Sequence, residues 1–202
     1  MIVYCATTNP GKLREFRRAA GHFGAAFQVE PVPGLSSIEP CEEAGATFEE
    51  NAIAKALHYG QHTDGYLFVD DSGLEVDALD GAPGVYSARF AGEGATDAAN
   101  NALLLDRLRG VTNRTARFVC VVALARGSQV AGTFRGAVEG EILHAESGAN
   151  GFGYDPLFYF PPFGCSFGEA DAERKMNVSH RGQALEAMFR FLSGSASTAG
   201  SR

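Results

Sequence analysis

Basic residues are in deficit. Seventeen Lys and Arg stand against 24 Asp and Glu, a formal net charge of −7 over 202 residues. General nucleic-acid or anionic-membrane binders want a basic face, so this balance argues against both and leaves room only for a local basic pocket. No apolar run approaches the ~18 residues of a membrane span. The opening Met1-Ile2-Val3-Tyr4-Cys5 has no basic n-region and leads straight into a strand-like run, so no secretory signal is expected. Cysteine is sparse: Cys5, Cys41, Cys120 and Cys165 are scattered, with no Cys-x-x-Cys pair and no Cys/His spacing for zinc. Cys5 and Cys120 sit in apolar runs and read as small core residues. A reducing cytoplasm is the expected compartment. Nothing repeats with a period of about 20 to 50 residues, which excludes a solenoid.

What remains is an ordinary globular composition, 45% apolar and 20% charged. A chain of this length buries about 70% of its unfolded surface and needs no staples. One domain over residues 1–192 is expected, or two small lobes sharing a cleft, followed by a flexible tail at 193–202 that is rich in Ser, Gly and Ala and lacks apolar periodicity. Strands are predicted at Ile2–Ala6, Phe27–Val32 and Leu67–Asp70, the last stopped by Asp70-Asp71-Ser72-Gly73. A helix over Lys12–Ala20 follows the turn Asn9-Pro10-Gly11. Thr47-Phe48-Glu49-Glu50 has the form of a capping box and predicts a helix over Phe48–His58. Later come a helix at Asp97–Arg109, paired strands at Ala116–Ala125 and Val130–Val138, a further strand at Glu141–Ala145, and a helix at His180–Leu192 capped by Ser179. The order is that of a mixed α/β protein, with parallel pairing early and an antiparallel hairpin later.

Four polar segments stand at the ends of predicted elements. Thr7-Thr8-Asn9-Pro10-Gly11-Lys12 joins a strand to a helix, where outward backbone N–H groups, hydroxyls and a lysine suit phosphate. It is not a Walker A loop, since Leu13 follows the lysine, and a plain capping turn would look the same. Asp70 and Asp71 are adjacent carboxylates that repel unless a cation sits between them. One could hold Mg²⁺ and the other activate water, or both could belong to a solvated turn. A haloacid-dehalogenase-type phosphatase would need its aspartates two positions apart. Glu42-Glu43 is either a solvated acidic loop or a second carboxylate source for the metal, and Lys55 on the next helix is either a surface lysine or a site residue. Gly151-Phe152-Gly153-Tyr154-Asp155-Pro156, with Lys175 and Ser179-His180-Arg181, combines glycines and aromatics that accept a planar ligand with cations placed against the dipole of a helix start.

Together with Glu42 to Asn51 and Gly81-Ala82-Pro83-Gly84-Val85-Tyr86-Ser87-Ala88-Arg89-Phe90, these segments occur in an order that resembles the inosine triphosphate pyrophosphatase family, over residues 1 to 192. The resemblance implies a long central mixed β-sheet flanked by helices, with two lobes around a substrate cleft, in a homodimer. It implies Mg²⁺-dependent hydrolysis of non-standard purine nucleoside triphosphates (ITP, dITP, XTP) to the monophosphate and pyrophosphate, which keeps deaminated purines out of DNA and RNA. By the same resemblance Asp71 is the general base and, with Glu42, a metal ligand. Substrate contacts fall on Thr7, Thr8, Asn9, Pro10, Gly11, Lys12, Lys55, Ser72, Phe152, Gly153, Tyr154, Asp155, Lys175, His180 and Arg181. The sequence departs from the family pattern at Thr8, where many members have a small residue, and at Arg174, where Glu is frequent. A Maf-like pyrophosphatase acting on pyrimidine or modified nucleotides is the alternative, and a nucleotide sensor without turnover is disfavoured because Glu42, Asp70 and Asp71 are all present.

Overall fold

A computed structural model of the chain describes residues 1–24 and 26–199. Seven strands, β1 (Ile2–Cys5), β2 (Gln28–Pro31), β3 (Tyr66–Val76), β4 (Thr115–Arg126), β5 (Gln129–Ile142), β6 (Phe158–Phe160) and β7 (Cys165–Ser166), hydrogen-bond in the order β2-β1-β3-β4-β5-β6-β7. β1 runs parallel to β2, with Val3 opposite Val29, and parallel to β3, with Cys5 opposite Phe68. β5, β6 and β7 pair antiparallel. The sheet is therefore mixed, as predicted. Among the described residues five α-helices accompany it: α1 (Pro10–Phe23), α2 (Phe48–Gly60), α3 (Asp97–Arg107), α4 (Ala172–Met176) and α5 (His180–Ala199). Among the described residues, no helix is long and apolar enough to cross a membrane.

Local sequence accounts for where α1, α2 and α3 begin. Asn9 caps α1: its side-chain oxygen accepts from the N–H groups of Gly11 and Lys12, and Pro10 occupies a first-turn position whose missing N–H costs nothing. The helix thus begins at Pro10, two residues before the predicted start. Thr47 and Glu50 form the reciprocal capping box of α2. Thr96 caps α3. α5 continues past the predicted end at Leu192 to Ala199: no proline interrupts the chain, and the Ser193 hydroxyl donates to the Phe189 carbonyl. The rest of the predicted tail, residues 200–202, lies outside the described residues. The predicted strand at Glu141–Ala145 is not separate, because β5 runs unbroken to Ile142.

Contacts divide the chain into two compact units. The first comprises Met1–Asp71, Cys120–Gly136 and the chain from Arg181 onward; the second comprises Ser72–Val119 and Ala137–His180. In the first, Phe16 of α1 meets Phe68 of β3 edge-on at 4.9 Å between centroids, and Phe27 stacks on Phe189 of α5 at 5.6 Å. Cys5 and Cys120 are fully buried there, and all four cysteines are free thiols. In the second, Leu74, Leu104, Leu108, Phe118, Ile142, Leu157, Phe158 and Phe167 form one continuous core.

The largest departure from the sequence reading is in β3. Asp70-Asp71-Ser72-Gly73 does not stop the strand; it lies in the middle of an 11-residue strand that ends at Val76. Asp and Gly disfavour strands, but the acids here are neutralised one by one from flanking helices.

Candidate active site

Successive strand side chains point to opposite faces, so the two adjacent aspartates do not face each other. Asp70 points to the side of α1 and α5. Its carboxylate accepts from Lys12 Nζ at 2.9 Å and from Arg181 Nε at 3.0 Å, with the Cys120 thiol 3.8 Å from one oxygen. Arg181 in turn pairs with Glu15 of α1. Asp71 points to the side of α2. One oxygen takes a hydrogen bond from Lys55 Nζ at 2.7 Å and the other from Asn51 Nδ2 at 3.3 Å. Lys55 also binds Glu43 of the acidic loop at 3.1 Å. Asn51 uses its other end to accept from the Gly45 N–H at 2.8 Å, tying the same loop to α2. His58 and Tyr59 of α2 hold the loop's start through the Glu39 carbonyl and the Cys41 N–H.

These surroundings separate the two acids chemically. Burial pushes Asp70 up, but Lys12, Arg181 and Lys55 outweigh it and hold the carboxyl well below the usual carboxylate range. Arg181 is the mirror case: burial lowers its pKa, Asp70 and Glu15 raise it more, and it remains a fixed cation. Burial likewise raises Asp71, and Glu43 adds to the rise. Lys55 and Lys12 oppose it without cancelling it, so Asp71 stands above its ordinary value of 3.8. Burial lowers Lys55, yet Asp71 and Glu43 leave it net raised and charged. Asp70 is a permanent counter-ion, whereas Asp71 is the carboxylate with the greater proton affinity.

Glu42 is exposed, and its side chain makes none of these contacts; Glu43, its neighbour, is the residue joined to Asp71 through Lys55. Among the described residues no group of three or more His, Cys, Asp or Glu could hold a metal ion by itself. The donors nevertheless fit a hard divalent cation: they are carboxylate oxygens, and Mg²⁺ commonly takes only one or two of these beside water and phosphate. Glu43 and Asp71 also outnumber their shared Lys55, so the cluster retains an excess negative charge that a cation would offset. In the first loop, the Asn9 N–H bonds to the Thr7 hydroxyl at 3.2 Å and Thr8 is exposed.

The second unit holds the glycine–aromatic segment. The Phe152 N–H donates to Asp155 Oδ2 at 2.9 Å, and Lys175 Nζ reaches the same oxygen at 2.6 Å while lying 5.4 Å from the centre of the Phe152 ring. Asp155, Lys175 and His180 are all buried, with His180 stacked on Phe118 at 4.8 Å. Tyr154 turns inward; its hydroxyl donates to the Ser87 carbonyl, and burial raises its pKa. Gly151 and Gly153 have φ of +76° and +62°. They are needed for different reasons. A Cβ on Gly151 would sit 1.9 Å from Asp155 Oδ2, whereas one on Gly153 would meet nothing within 4 Å and suffer only from the backbone conformation. Arg174 lies over the Phe163 ring at 3.9 Å, which leaves Lys175 turned toward Asp155.

The structure thus gathers Lys12, Lys55, Asp70, Asp71 and Arg181 in one unit, and Phe152, Asp155 and Lys175 in the other. Ser72 falls in the second unit, next in sequence to Asp71. Glu15 and Asn51 escaped the sequence reading as site residues. Glu15 lies 166 positions from Arg181, and nothing local marks the contact. Asn51 stood inside a quoted motif, one turn before Lys55 on the same helix, and that spacing was the available signal.

Residues 3–191 match the sequence model of the Ham1 family. A dITP/XTP pyrophosphatase of Exiguobacterium sp. is 51% identical over 92% of this chain and 93% of its own. That of Acidobacterium capsulatum is 46% identical over 96% of this chain and 99% of its own. The solved structure of a HAM1 protein from Coxiella burnetii, 38% identical, covers 96% of this chain and 99% of its own with a TM-score of 0.85. The family resemblance read from the ordered motifs is borne out over nearly their whole span, and the chain belongs to the Ham1 family.

Proposed function

We propose that this chain hydrolyses dITP, XTP and ITP to the corresponding monophosphate and pyrophosphate. The observation that carries the reading is the division of labour between the two aspartates, in a chain 51% identical to a dITP/XTP pyrophosphatase. The relatives named above favour purine substrates over the pyrimidine or modified nucleotides of the Maf-like alternative. Residues 1–192 are read as one catalytic domain.

Asp71 accepts a proton from water as the water oxygen bonds to the α-phosphorus, and the bond from that phosphorus to the bridging oxygen breaks. Pyrophosphate leaves with the bridging oxygen. Asp71 suits this role because burial has raised its proton affinity while Lys55 keeps it ionised and oriented. The side-chain cations of Lys12 and Lys55 bind phosphate oxygens, with Thr7, Thr8, Asn9, Pro10 and Gly11 shaping the turn that carries Lys12. Asp70 and Arg181 hold Lys12 and β3 in place, and Arg181 and Ser72 are further substrate contacts. Asp71 with Glu42 would hold Mg²⁺, and Glu43 is close enough in the chain to share the task; the ion supplies charge neutralisation at the phosphates. Phe152, Gly153, Lys175 and His180 meet the base, while Tyr154 and Asp155 keep that loop in shape. Lys175 and His180 as donors accept a 6-oxo group and reject a 6-amino group, because two donors would then face each other.

The chain is read as a cytoplasmic homodimer that binds neither nucleic acid nor membrane, and sedimentation at twice 21.4 kDa is the expected result for the dimer. The activity is tested with Mg²⁺ on ITP, dITP, XTP, GTP and ATP, scoring pyrophosphate against orthophosphate. Rapid pyrophosphate release from the first three and slow release from GTP and ATP is expected. Orthophosphate as the product, or equal rates on all five, would overturn the reading.

A further inference from the structure

The loop taken to meet the base is gripped from α3 by two residues that no motif contains. Asp97 and Asn101 stand one turn apart on one face of that helix. Asp97 Oδ2 accepts from the Gly153 N–H at 2.7 Å, and Asn101 Nδ2 donates to the Gly153 carbonyl at 3.2 Å. Asn101 is buried, and its amide orientation is fixed because the same nitrogen donates to Glu146 Oε1 at 2.7 Å; the reverse orientation would set oxygen against two acceptors. Both polar backbone atoms of Gly153 are therefore engaged from one helix.

The geometry points to Asp97 and Asn101 as positioning residues for base selection, acting through Gly153. This inference rests on the proposed role of the loop. Its physical basis has two parts. Gly153 has φ of +62° and no side chain to anchor it, so without the grip its peptide groups would be free to turn. The grip also withholds an N–H: with Phe152 bound to Asp155 and Gly153 bound to Asp97, neither backbone donor is open to a ligand. Adenine, whose unprotonated N1 needs a donor where the N1–H of hypoxanthine does not, stays unpaired there, and an unpaired buried polar group is what gives large discrimination. A loosened loop would turn and satisfy it.

The test uses the full-length protein with Mg²⁺ and compares kcat/KM for ITP and ATP in wild type, Asn101→Ala, Asp97→Ala and Asp97→Asn. Asp97 is exposed, so its variants keep the test open should Asn101→Ala fail to fold. The expected result is a fall of about tenfold or more in the ITP-to-ATP ratio for both alanine variants. That fall should come mainly from a lower KM for ATP, with kcat for ITP held within about twofold and most of the ratio recovered in Asp97→Asn, which keeps an acceptor. Amide exchange at Gly153 should quicken in Asp97→Ala. An unchanged ratio, or equal losses on both substrates, would overturn the inference and leave the proposed function standing. Absence of any base preference in the wild type would overturn the role of the loop and the inference with it.

Discussion

Asp70 and Asp71 are neighbours with the same side chain, and their substitutions should fail in opposite ways. Asp70→Asn leaves Lys12 and Arg181 facing a neutral amide in a buried setting. It is expected to cost about 3 kcal/mol of stability, read by denaturant unfolding. Asp71→Asn removes a carboxylate that burial already disfavours in its charged form. Its melting temperature should hold or rise while kcat falls about a hundredfold or more. Near-normal turnover in Asp71→Asn would refute its assignment as the base. Titration follows the same division. In metal-free protein the Asp71 carboxyl, followed by carbon NMR, should titrate above 3.8. Its raised folded value favours the fold below the unfolded pKa, and that contribution disappears as pH rises through the folded one. Asp70 has the opposite sign: its lowered folded value favours the fold above 3.8, and that contribution is lost as pH falls through the folded value. The acid arm of the stability curve should therefore flatten in Asp70→Asn.

The second helix shows how far local sequence reaches. Its capping box was readable from Thr47 and Glu50 because both partners lie within four residues, and the structure forms both hydrogen bonds. Thr47→Ala should cost about 1 kcal/mol, measured as a lower melting temperature, since α2 alone carries Asn51 and Lys55. β3 shows where such reading stops. Asp-Asp-Ser-Gly carries every local mark of a turn, and only Lys12, Lys55 and Arg181, between 16 and 111 positions away, make it a strand interior. β6, β7 and α4 went unpredicted because two, three or five residues are too few to show a period. α5 outran its prediction because a Ser/Gly/Ala run lacks apolar periodicity yet holds nothing that breaks a helix. Among site residues, the motifs singled out Lys12, Lys55, Asp71 and Lys175 by their neighbours in sequence; pairings such as Arg181 with Glu15 exist only in the fold.

The net charge of −7 is a property of the whole molecule, and it sets the long-range field that a triphosphate of about four negative charges would meet. That field repels, so binding relies on short-range cations and the metal. Raising monovalent salt from about 20 to about 150 mM at fixed Mg²⁺ should leave kcat/KM level or raise it, because screening weakens the repulsion. A steep fall would mean that local attraction dominates even at a distance. The central claim is attack at the α-phosphorus, and hydrolysis of ITP in ¹⁸O-labelled water tests it most directly. The account predicts the label in the monophosphate and none in pyrophosphate; label in pyrophosphate or orthophosphate would contradict it.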